Sequence, residues 1–521
     1  MPNLQIYRYI FLDYGLIRLN YELFYKPNSS PDFIASQFLK TFCDFFLQLF
    51  INNEFVPSVS GETFPDINPA TGTKIVDVST EDVDIAVKAA RKAFSRNSEW
   101  RNLDASGRAK LLNKLADLME RDIKELAKLE SLDNGKTVGD SEFDINCAID
   151  TIRYFAGWCD KIHGNTIPAD GNVICMTRKE PVGVCGQLIP WNYPILMLVW
   201  KWGPALAAGC TLILKPADQT PLTALAMAAL SKEAGFPAGV ISVLPGSGST
   251  TGVAISSHMG IDKVAFTGST VVGRKIMQAA ALSNLKRVSL ELGGKSPLVI
   301  FDDADVDEAV EIAFNAIFAN HGQNCCAGSR TYVHEKIYDA FVQKAAAKAS
   351  LRKVGDPFKD GTEQGPQIDE RMMNRVLDFI ESGKKEGARL ETGGARVGTD
   401  GYFVQATVFS NVTDNMTIAK EEIFGPVQSI LKFSSLEEVI ERANDSNYGL
   451  AAGIVTQNIN TALTFAKAVE AGSVWVNCFD YVVPQAPFGG FKQSGTGREL
   501  GEDSLKEYLE TKTVTIKLPS K

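Results

Sequence analysis

The 521-residue chain is 45% hydrophobic and 22% charged, which is the composition of an ordinary globular protein that can bury a large core. Its formal net charge of −9 argues against nucleic acid or an anionic membrane as the main partner, because both attract basic surfaces. Nine cysteines in so long a chain do not match a small secreted disulfide framework, so a reducing compartment is favoured. No CxxC occurs and the four histidines lie far apart, so we expect no metal site.

The first 49 residues are apolar and aromatic, but they match neither a membrane helix nor a secretion signal. Arg8, Asp13, Arg18 and Glu22 interrupt every window long enough to span a bilayer. The segment lacks the basic start, the short apolar run and the cleavage site of a secretory signal, and its acidic residues argue against mitochondrial import. We therefore interpret residues 1–49 as an extension of unknown role or a mispredicted gene start.

Helical periodicity between about residues 80 and 130 predicts two amphipathic helices. The apolar positions that recur at helical spacing are, in two successive groups, Val83, Val87 and Ala90, and Leu111, Leu115 and Leu118.

After Pro181, short apolar runs alternate with helical segments. The runs are PVGVCGQLIP, TLILKP, VISVLPG, DKVAFTGS, RVSLELGG and SPLVIF. They predict a largely parallel sheet with crossover helices, and therefore a doubly wound α/β domain. The alternation resumes after Ser329 with RTYVHE, VQSILKF, GLAAGIVT and GSVWVN, which predicts a second α/β domain. The terminal TKTVTIKLP alternates as a strand does, and we expect it to pair outside its own domain.

Two adjacent cysteines, Cys325 and Cys326, lie in GQNCCAGSR, just after a helical stretch that ends near Phe318. Their small, polar and flexible neighbours are typical of a loop that exposes a thiol. A thiolate is a suitable nucleophile for an aldehyde carbon, since loss of hydride from the adduct leaves a thioester that water can cleave. A structural pair of buried thiols is the alternative, and the nearby His321 leaves a protease-like Cys/His pair open.

Glu291 and Asn192 are candidates for acid–base and oxyanion chemistry. Glu291 ends an apolar strand and precedes Gly293 and Gly294, where burial would raise its pKa as a general base requires. An exposed charge at the strand end is the alternative. Asn192, in QLIPWNYP, follows a buried strand, and its amide could donate to a developing oxyanion. A turn-forming role is the alternative.

A dinucleotide site is indicated by local patterns, because the sequence has no GxGxxG. In VAFTGSTVVG a strand leads into Gly268 and Ser269 and then into a helix that starts near Thr270, so backbone N–H groups would face an anion. Lys215 and Asp218, just past the strand of LILKPADQTP, suit the hydroxyls of an adenosine ribose. Plain strand-to-helix turns are the alternative.

Taken together, these strings resemble the aldehyde dehydrogenase superfamily, in particular the class that contains the mitochondrial acetaldehyde and cytosolic retinal dehydrogenases. LELGGKSP is similar to the family's glutamate signature and NHGQNCCAGSR to its cysteine signature. PWNYP, FTGST, EEIFGPV, PFGGFKQSG and GRELG also match, in the family's order. The resemblance runs from about Phe50 to the C-terminus.

The resemblance implies a catalytic set. Cys325 would be the nucleophile and Glu291 the general base, and Asn192 would donate to the oxyanion together with the backbone N–H of Cys325. Lys201 and Glu499 match a pair that relays the proton of the base.

The resemblance also implies NAD as the cofactor and a set of residues that hold it. These are Lys215 and Asp218 at the adenosine ribose, Ser269 at the pyrophosphate with Gly268 and Gly273 beside it, Glu422 and Phe424 at the nicotinamide ribose, and Trp191 and Ile189 in the same pocket.

The implied fold is the α/β aldehyde dehydrogenase fold, with a Rossmann-like NAD-binding domain, an α/β catalytic domain and a small oligomerisation sheet. The expected boundaries are 50–158 and 182–293 for the NAD-binding domain, 294–493 for the catalytic domain, and 159–181 and 505–521 for the oligomerisation segment. The resemblance further implies a homo-oligomer, with a tetramer favoured over a dimer, that acts on a small-molecule aldehyde. We expect the protein in the cytoplasm, which is a reducing compartment. The mitochondrial matrix is the alternative location.

Three positions depart from the family pattern. Asp218 stands where relatives usually have Glu, so its carboxylate is one methylene shorter. It should still disfavour the 2′-phosphate of NADP, though less strongly, and NAD stays the expected cofactor. Cys147 and Ala319 stand where acetaldehyde-type relatives carry Met and Phe, which predicts a wider tunnel for medium or long aldehydes, retinal included.

Other functions stay open. One is a non-catalytic protein of the same fold, since a fold never proves an activity. Another is a dehydrogenase that transfers the acyl group to coenzyme A, although the presence of Glu291 favours hydrolysis. A cysteine hydrolase without a cofactor is disfavoured by the ribose and pyrophosphate patterns.

Overall fold

Two largely parallel sheets organise the structure, which is a computed structural model that describes residues 48–79 and 82–519. The interpretation of residues 1–49 therefore lies, except for its last two residues, outside the described residues. Within the two described ranges, no helix combines the length and the apolar composition needed to cross a bilayer. Across the same ranges, no cluster of three or more His, Cys, Asp or Glu side chains could hold a metal ion.

The first sheet has eight strands, and its five central strands are parallel. In spatial order the strands are Gly495–Thr496, Arg287–Glu291, Lys263–Thr267, Val184–Leu188, Thr211–Lys215, Ile241–Val243, Leu49–Ile51 and Glu54–Val56. The parallel strands are almost entirely buried, as expected for a sheet that is covered on both faces by helices. The strands predicted from PVGVCGQLIP to RVSLELGG are therefore present.

The strand order of the first sheet reverses between Val184–Leu188 and Lys263–Thr267. From Val184–Leu188 the chain first adds strands toward one edge of the sheet and then crosses back to add Lys263–Thr267 and Arg287–Glu291 on the other side. Loops diverge at such a switch point and leave a crevice at the carboxyl ends of the strands, where ligands bind in doubly wound sheets. Ile189 and Gly268 directly follow the two strands that flank this point.

Helices cover both faces of the first sheet. Those in the doubly wound part are Pro194–Ala208, Leu222–Ala234, Val253–Ser257 and Thr270–Leu282, and Val138–Ala156 packs on the first of them. The helix expected to start near Thr270 is confirmed, with the Ser269 side chain accepting a hydrogen bond from the Val272 N–H as its N-cap.

The prediction of two helices between residues 80 and 130 is wrong in number. The helices are Val83–Ala93, Glu99–Asn102, Ala105–Arg121 and Ile123–Asn134. Ser98 starts the additional short helix by accepting a hydrogen bond from the Arg101 N–H, and Asp122 leaves helical geometry and so divides the last two. Continuous apolar periodicity conceals such a break, because both helices present the same face to the core.

The second sheet has seven strands, and only its edge strand Arg389–Thr392 is antiparallel within the described ranges. The order is Arg389–Thr392, Thr407–Val412, Val427–Phe433, Arg330–His334, Pro297–Ile300, Ala451–Val455 and Ser473–Val476. SPLVIF was expected to continue the first sheet, and that grouping is wrong, because an apolar run does not show which sheet buries it. Apolar cores lie on both faces of this sheet.

Helices also surround the second sheet, whereas the short helix Asp503–Lys506 packs on helix Pro194–Ala208 of the first. Those around the second sheet are Val306–Phe318, Tyr338–Ser350, Glu370–Lys385, Thr417–Lys420, Leu436–Asn444 and Ile459–Ala468. The first of them ends at Phe318, as predicted, and leads into the loop of Cys325.

The C-terminal strand Leu509–Lys517 pairs antiparallel with Val173–Pro181, which also pairs with Thr166–Ile167. These strands form a separate three-stranded sheet. A further hairpin, Thr63–Asn68 with Thr73–Ser79, lies near the start of the described chain. The predicted terminal strand is therefore present, and its partner is far away in sequence.

Candidate active site

A cavity of about 980 Å³ lies where the carboxyl edge of the first sheet faces the Cys325 loop. Most of the residues singled out from the sequence line it, which brings together side chains from distant parts of the chain. The predicted site residues in its wall are Cys325, Glu291, Asn192, Ile189, Trp191, Lys215, Asp218, Gly268, Ser269, Glu422 and Phe424. Lys201, Glu499 and Gly273 lie outside the wall.

The Cys325 loop is shaped by consecutive residues in left-handed backbone conformation. The φ angles of Asn320, His321 and Gly322 are 47°, 60° and 71°. A side chain at Gly322 would have its Cβ 2.0 Å from the carbonyl oxygen of Gly425, so glycine is required there. This turn reverses the chain after helix Val306–Phe318 and delivers Cys325 to the cavity.

His321 is not available as a base for Cys325. Its Nδ1 lies 2.8 Å from the Pro366 carbonyl oxygen, and its Nε2 accepts a hydrogen bond of 3.1 Å from the Gly365 N–H. Burial lowers the pKa of His321 to about 3, so the ring is neutral. The protease-like Cys/His alternative is thereby excluded.

The two adjacent cysteines have different surroundings. Cys326 is buried, with its Sγ 3.1 Å from Asp480 Oδ1, and the Nδ2 of Asn324 donates to the other oxygen of the same carboxylate at 2.7 Å. Cys325 is partly exposed to the cavity. A hydrogen bond with Cys326, burial and the nearby charge of Glu291 hold the pKa of the Cys325 thiol well above its usual range. Cys325 therefore needs a base to accept its proton.

Glu291 is the last residue of strand Arg287–Glu291 and is only 3% exposed. Neither carboxylate oxygen accepts a hydrogen bond of ordinary length from the part of the chain that the structure describes. Burial raises the pKa of Glu291 to about 8, and the charge of Glu499 adds to the rise, while the Cys325 thiol and Lys201 oppose it. A carboxyl group with this pKa can exchange protons near neutral pH, as a general base must.

Gly293 and Gly294 allow close packing at this strand end. A Cβ at Gly294 would lie 2.5 Å from the Cys325 carbonyl oxygen, and one at Gly293 would lie 2.5 Å from Glu422 Oε2. The two glycines thus let the cysteine loop and the Glu422 side chain approach the end of the first sheet.

Lys201 and Glu499 form an ion pair outside the cavity wall. The Lys201 Nζ lies 2.7 Å from Glu499 Oε1 and 2.7 Å from Thr267 Oγ1, and the lysine is fully buried. Both charges affect the pKa of Glu291. The pair expected to relay the proton of the base is therefore electrostatically coupled to it.

Asn192 lies in the loop between strand Val184–Leu188 and helix Pro194–Ala208. Its Nδ2 donates to the carbonyl oxygen of Gln323 at 3.0 Å, which connects this loop to the residues just before Cys325. An amide NH₂ has two donors, and no hydrogen bond to a described residue uses the second one. That donor is available to an oxyanion in the cavity.

The remaining wall offers groups suited to a dinucleotide. Lys215 Nζ and Asp218 Oδ1 are 2.8 Å apart and form a cation–carboxylate pair at the end of strand Thr211–Lys215. Ser269 caps the 13-residue helix Thr270–Leu282, whose first-turn N–H groups suit an anion. Gly273 lies within that helix, where a Cβ would meet the Leu292 side chain at 2.8 Å. The absence of a side chain at Gly273 thus lets the helix pack closely on Leu292.

Glu422 and Phe424 also belong to the cavity wall. The Gly294 N–H donates to Glu422 Oε1 at 3.0 Å, and burial raises the pKa of Glu422 to about 7. The Phe424 ring meets Trp191 edge-on, with centroids 5.3 Å apart. A carboxylate and an aromatic pair beside Glu291 fit the sugar and ring of a nicotinamide nucleoside, so the donor set is compatible with NAD.

Cys147 and Ala319 line the same cavity as Cys325, together with the aromatic pair Trp200 and Phe488, whose ring centroids are 5.3 Å apart. Sequence reasoning missed several polar groups near the site, among them Asn134 and Asn320, whose side chains bind the backbone of the Asn192 loop. Both are common amides in local sequence, so only their long-range contacts identify them.

The chain is similar to known proteins over almost its whole described length. A family model described as "Aldehyde dehydrogenase family" matches residues 55–514. The chain is 58% identical to aldehyde dehydrogenase 1A1 of Gallus gallus over 480 residues, which cover 91% of this chain and 94% of that protein. It is also 58% identical to retinal dehydrogenase 2 of Homo sapiens, over 91% of this chain and 93% of that protein. The solved NAD+ complex of an aldehyde dehydrogenase from Bacillus cereus is 50% identical, with a TM-score of 0.91 over 94% of this chain and 99% of that one.

Proposed function

The chain belongs to the aldehyde dehydrogenase family and uses NAD, and on that basis we propose that it oxidises an aldehyde to the carboxylic acid through a thioester on Cys325. The observation that carries the proposal is that Cys325, Glu291 and Asn192 share one cavity with groups that suit a dinucleotide.

The cofactor would be held along the carboxyl edge of the first sheet. Lys215 and Asp218 would bind the adenosine ribose, Ser269 and its helix N-terminus the pyrophosphate, and Glu422 with Phe424 the nicotinamide end. When bound, NAD supplies the acceptor for the hydride that leaves the aldehyde carbon.

The Cys325 sulfur attacks the aldehyde carbon after its proton is removed. Because the pKa of this thiol is raised, it is a poor nucleophile until a base takes the proton. Glu291 is the nearby acceptor. Its negative charge raises the pKa of the Cys325 thiol, and its own pKa of about 8 allows it to take up a proton near neutral pH.

Attack converts the aldehyde oxygen into an alkoxide. The second N–H of the Asn192 amide and the backbone N–H of Cys325 donate to it, and these fixed donors stabilise the charge as it develops. Loss of one such donor typically slows turnover by about 100- to 1000-fold.

Hydrolysis of the thioester returns the free thiol. Glu291 removes a proton from water, which attacks the acyl carbon and releases the acid. Lys201 and Glu499, whose charges are coupled to Glu291, would carry the thiol proton away before this step, so that Glu291 is again a base, and the water proton away after it.

The direct test measures NADH formation from acetaldehyde, decanal and retinal, with and without coenzyme A. We expect activity in the wild type without coenzyme A, none in Cys325→Ala, and retained activity in Cys326→Ala, the matched control for loss of an adjacent thiol. Undiminished NADH formation by Cys325→Ala would refute the thioester. A strict requirement for coenzyme A would instead favour acyl transfer, and inactivity on every aldehyde would favour a non-catalytic role.

The substrate is proposed to be a medium- or long-chain or retinal-like aldehyde. The small side chains of Cys147 and Ala319 leave room in the cavity, and one similar protein is named retinal dehydrogenase 2. We expect kcat/KM for decanal and retinal to exceed that for acetaldehyde. Cys147→Met and Ala319→Phe should lower kcat/KM for the large aldehydes and spare acetaldehyde, and the opposite order would contradict this assignment.

The proposed assembly is a homotetramer, for which the exposed apolar side chains provide the support. Helix Thr270–Leu282 exposes Val271, Met277 and Leu282, and the three-stranded sheet exposes Ile174 and Ile516. Burial of two separate patches by further copies of the chain would give a dimer of dimers. Light scattering should give the mass of a tetramer, and Leu282→Asp should reduce it. A monomeric wild type would refute the assembly.

The expected domain boundaries remain a proposal. Strands of the second sheet fall within 294–493 and those of the three-stranded sheet within 159–181 and 505–521, which supports the division. Limited proteolysis should therefore cut first near residue 158, where Gly157 and Asp160 are exposed, and should spare the buried boundary at residue 294.

The proposed location is the cytoplasm, with the mitochondrial matrix as the alternative. The cysteines of the described residues are all free thiols, which suits a reducing compartment. Imaging of the tagged full chain beside a variant that lacks residues 1–49 tests this proposal. Matrix staining of the full chain alone would favour the alternative.

A further inference from the structure

The loop that carries Asn192 contacts a buried polar segment, residues 130–136, to which the proposed mechanism gives no role. Glu130, Asn134 and Lys136 of this segment are completely buried. Burial of polar side chains is costly unless they are hydrogen-bonded, so the groups that they bind indicate what they contribute.

Asn134 binds the backbone of the Asn192 loop directly. Its Nδ2 lies 2.5 Å from the Trp191 carbonyl oxygen and 3.3 Å from the Asn192 carbonyl oxygen. Its Oδ1 accepts a hydrogen bond of 3.2 Å from the Lys136 N–H. Both ends of the amide are therefore engaged, which fixes its orientation.

The backbone around Asn134 leaves this side chain little freedom. Asn134 is the last residue of helix Ile123–Asn134, and Gly135 ends the helix with φ at 88°. A Cβ at Gly135 would lie 2.7 Å from Pro366 Cγ, so the turn is closely packed.

Neighbouring residues of the segment hold the rest of the loop. Glu130 Oε1 accepts a hydrogen bond of 3.2 Å from the Ile195 N–H, and Lys136 Nζ lies 4.4 Å from the centre of the Tyr193 ring. The segment thus contacts the loop on both sides of Asn192.

The same loop is also connected to the cysteine. Asn320 Nδ2 donates to the Asn192 carbonyl oxygen at 2.9 Å and to the Gln323 carbonyl oxygen at 3.0 Å. The Gln323 carbonyl is the acceptor for the Asn192 side chain as well. A shift of the Asn192 backbone would therefore move its amide relative to Cys325.

We propose that Asn134 is a positioning residue that fixes the Asn192 amide for the oxyanion and acts on the reaction only through Asn192. This inference rests on the proposed oxyanion role of Asn192. Oxyanion stabilisation depends on a donor held in place before the charge forms, so a small displacement of that donor is enough to slow the reaction.

A double-mutant cycle with decanal as substrate tests the inference. We expect Asn134→Ala to lower kcat/KM by about 10- to 100-fold in the wild-type background. In the Asn192→Ala background the same change should lower it by less than about 2-fold, because a donor that has been removed cannot be misplaced. A purely structural role would give the same loss in both backgrounds.

Two further variants separate positioning from stability. Asn134→Asp keeps the volume and the acceptor for Lys136 but places a carboxylate oxygen against two carbonyl oxygens. It should therefore lower kcat/KM in the wild-type background and leave it nearly unchanged in the Asn192→Ala background. Ser131→Ala, on the same helix, removes a buried hydrogen bond of 2.7 Å to Ser141 without touching the loop. It should lower the urea midpoint and leave kcat/KM unchanged.

The outcomes are distinguishable. Equal losses in the two backgrounds, or no loss from either Asn134 variant, would overturn the inference while the proposed function stands. An undiminished kcat/KM in Asn192→Ala alone would overturn the oxyanion role, and the inference with it.

Discussion

Lys201 donates a hydrogen bond to Glu499 across 298 residues of sequence, with Nζ and Oε1 2.7 Å apart. The two charges act in opposite directions on Glu291, because the Glu499 carboxylate raises the pKa of Glu291 and the Lys201 ammonium lowers it. The ion pair therefore adjusts, in two opposed directions, a pKa that is raised chiefly by burial.

Single substitutions in this pair should shift the pH profile in opposite directions. Glu499→Gln removes a negative charge, so the pKa of Glu291 falls and the acidic limb of the kcat profile moves to lower pH. Lys201→Met removes a positive charge, so that limb moves to higher pH. Steady-state rates between pH 5 and pH 10 measure both midpoints, and shifts in the same direction would contradict the electrostatic assignment.

Substitution of Glu291 should block hydrolysis of the thioester, which is the second half-reaction. It should slow the first half-reaction, which forms NADH, only in part. We expect Glu291→Gln to lower steady-state kcat by about 100- to 10,000-fold, because the thioester accumulates. Rapid mixing at high pH, where other bases can deprotonate Cys325, should show a burst of NADH that approaches one equivalent per site. Equal slowing of burst and steady state would assign Glu291 to the first step alone.

Glu291 should also make stability depend on pH. Its folded pKa of about 8 exceeds the usual 4.5, so the neutral carboxyl is favoured by folding. This contribution is fully present below about pH 4.5 and is lost as the pH rises through 8. As the pH rises from 5 to 9, the urea midpoint of the wild type should therefore fall relative to the urea midpoint of Glu291→Gln. A constant difference across that window would disprove the raised pKa.

The adjacent thiol of Cys326 should affect the pKa of the nucleophile Cys325. The hydrogen bond with Cys326 is the largest cause of the raised Cys325 pKa, so Cys326→Ala should lower that pKa. The rate of inactivation by iodoacetamide, followed against pH, should then reach its midpoint at lower pH. Cys478→Ala, a control thiol outside the cavity wall, should leave the midpoint unchanged. An unchanged midpoint in Cys326→Ala would rule out the coupling.

A methyl group at Gly294 should disturb the nucleophile loop. The added Cβ would lie 2.5 Å from the Cys325 carbonyl oxygen, so the backbone must move. We expect Gly294→Ala to cost about 1–3 kcal/mol of stability and to lower kcat/KM by about 100-fold. Gly139→Ala is the matched control, because nothing lies within 4 Å of its Cβ, and it should keep full activity. Normal activity in Gly294→Ala would show that the loop adapts.

Local sequence predicted the strands well because buried parallel strands are short apolar runs with clear ends. The runs from PVGVCGQLIP to GSVWVN each contain a strand, and the positions just after two of these strands, Ile189 and Gly268, line the cavity. The motifs also selected Cys325, Glu291 and Asn192, which the fold brings into one cavity although they lie far apart in sequence.

Other features depended on contacts that sequence does not display. The break at Asp122 within a continuous apolar pattern was missed, and SPLVIF was grouped with the wrong sheet. Gly273 lies outside the cavity wall and close to the Leu292 side chain, so its place beside the cofactor stays a prediction. Asn134 was overlooked because its acceptors lie 57 and 58 residues away, beyond any local pattern.

The nucleophile and the base are supplied by separate sheets, since Glu291 ends a strand of the first and Cys325 follows a helix that covers the second. The distance between them is therefore set by how the two layers are docked, and not by either layer alone. Mild denaturant that loosens this docking should abolish turnover before circular dichroism detects any loss of helix, so the reaction itself is a sensitive gauge of how the two halves are assembled.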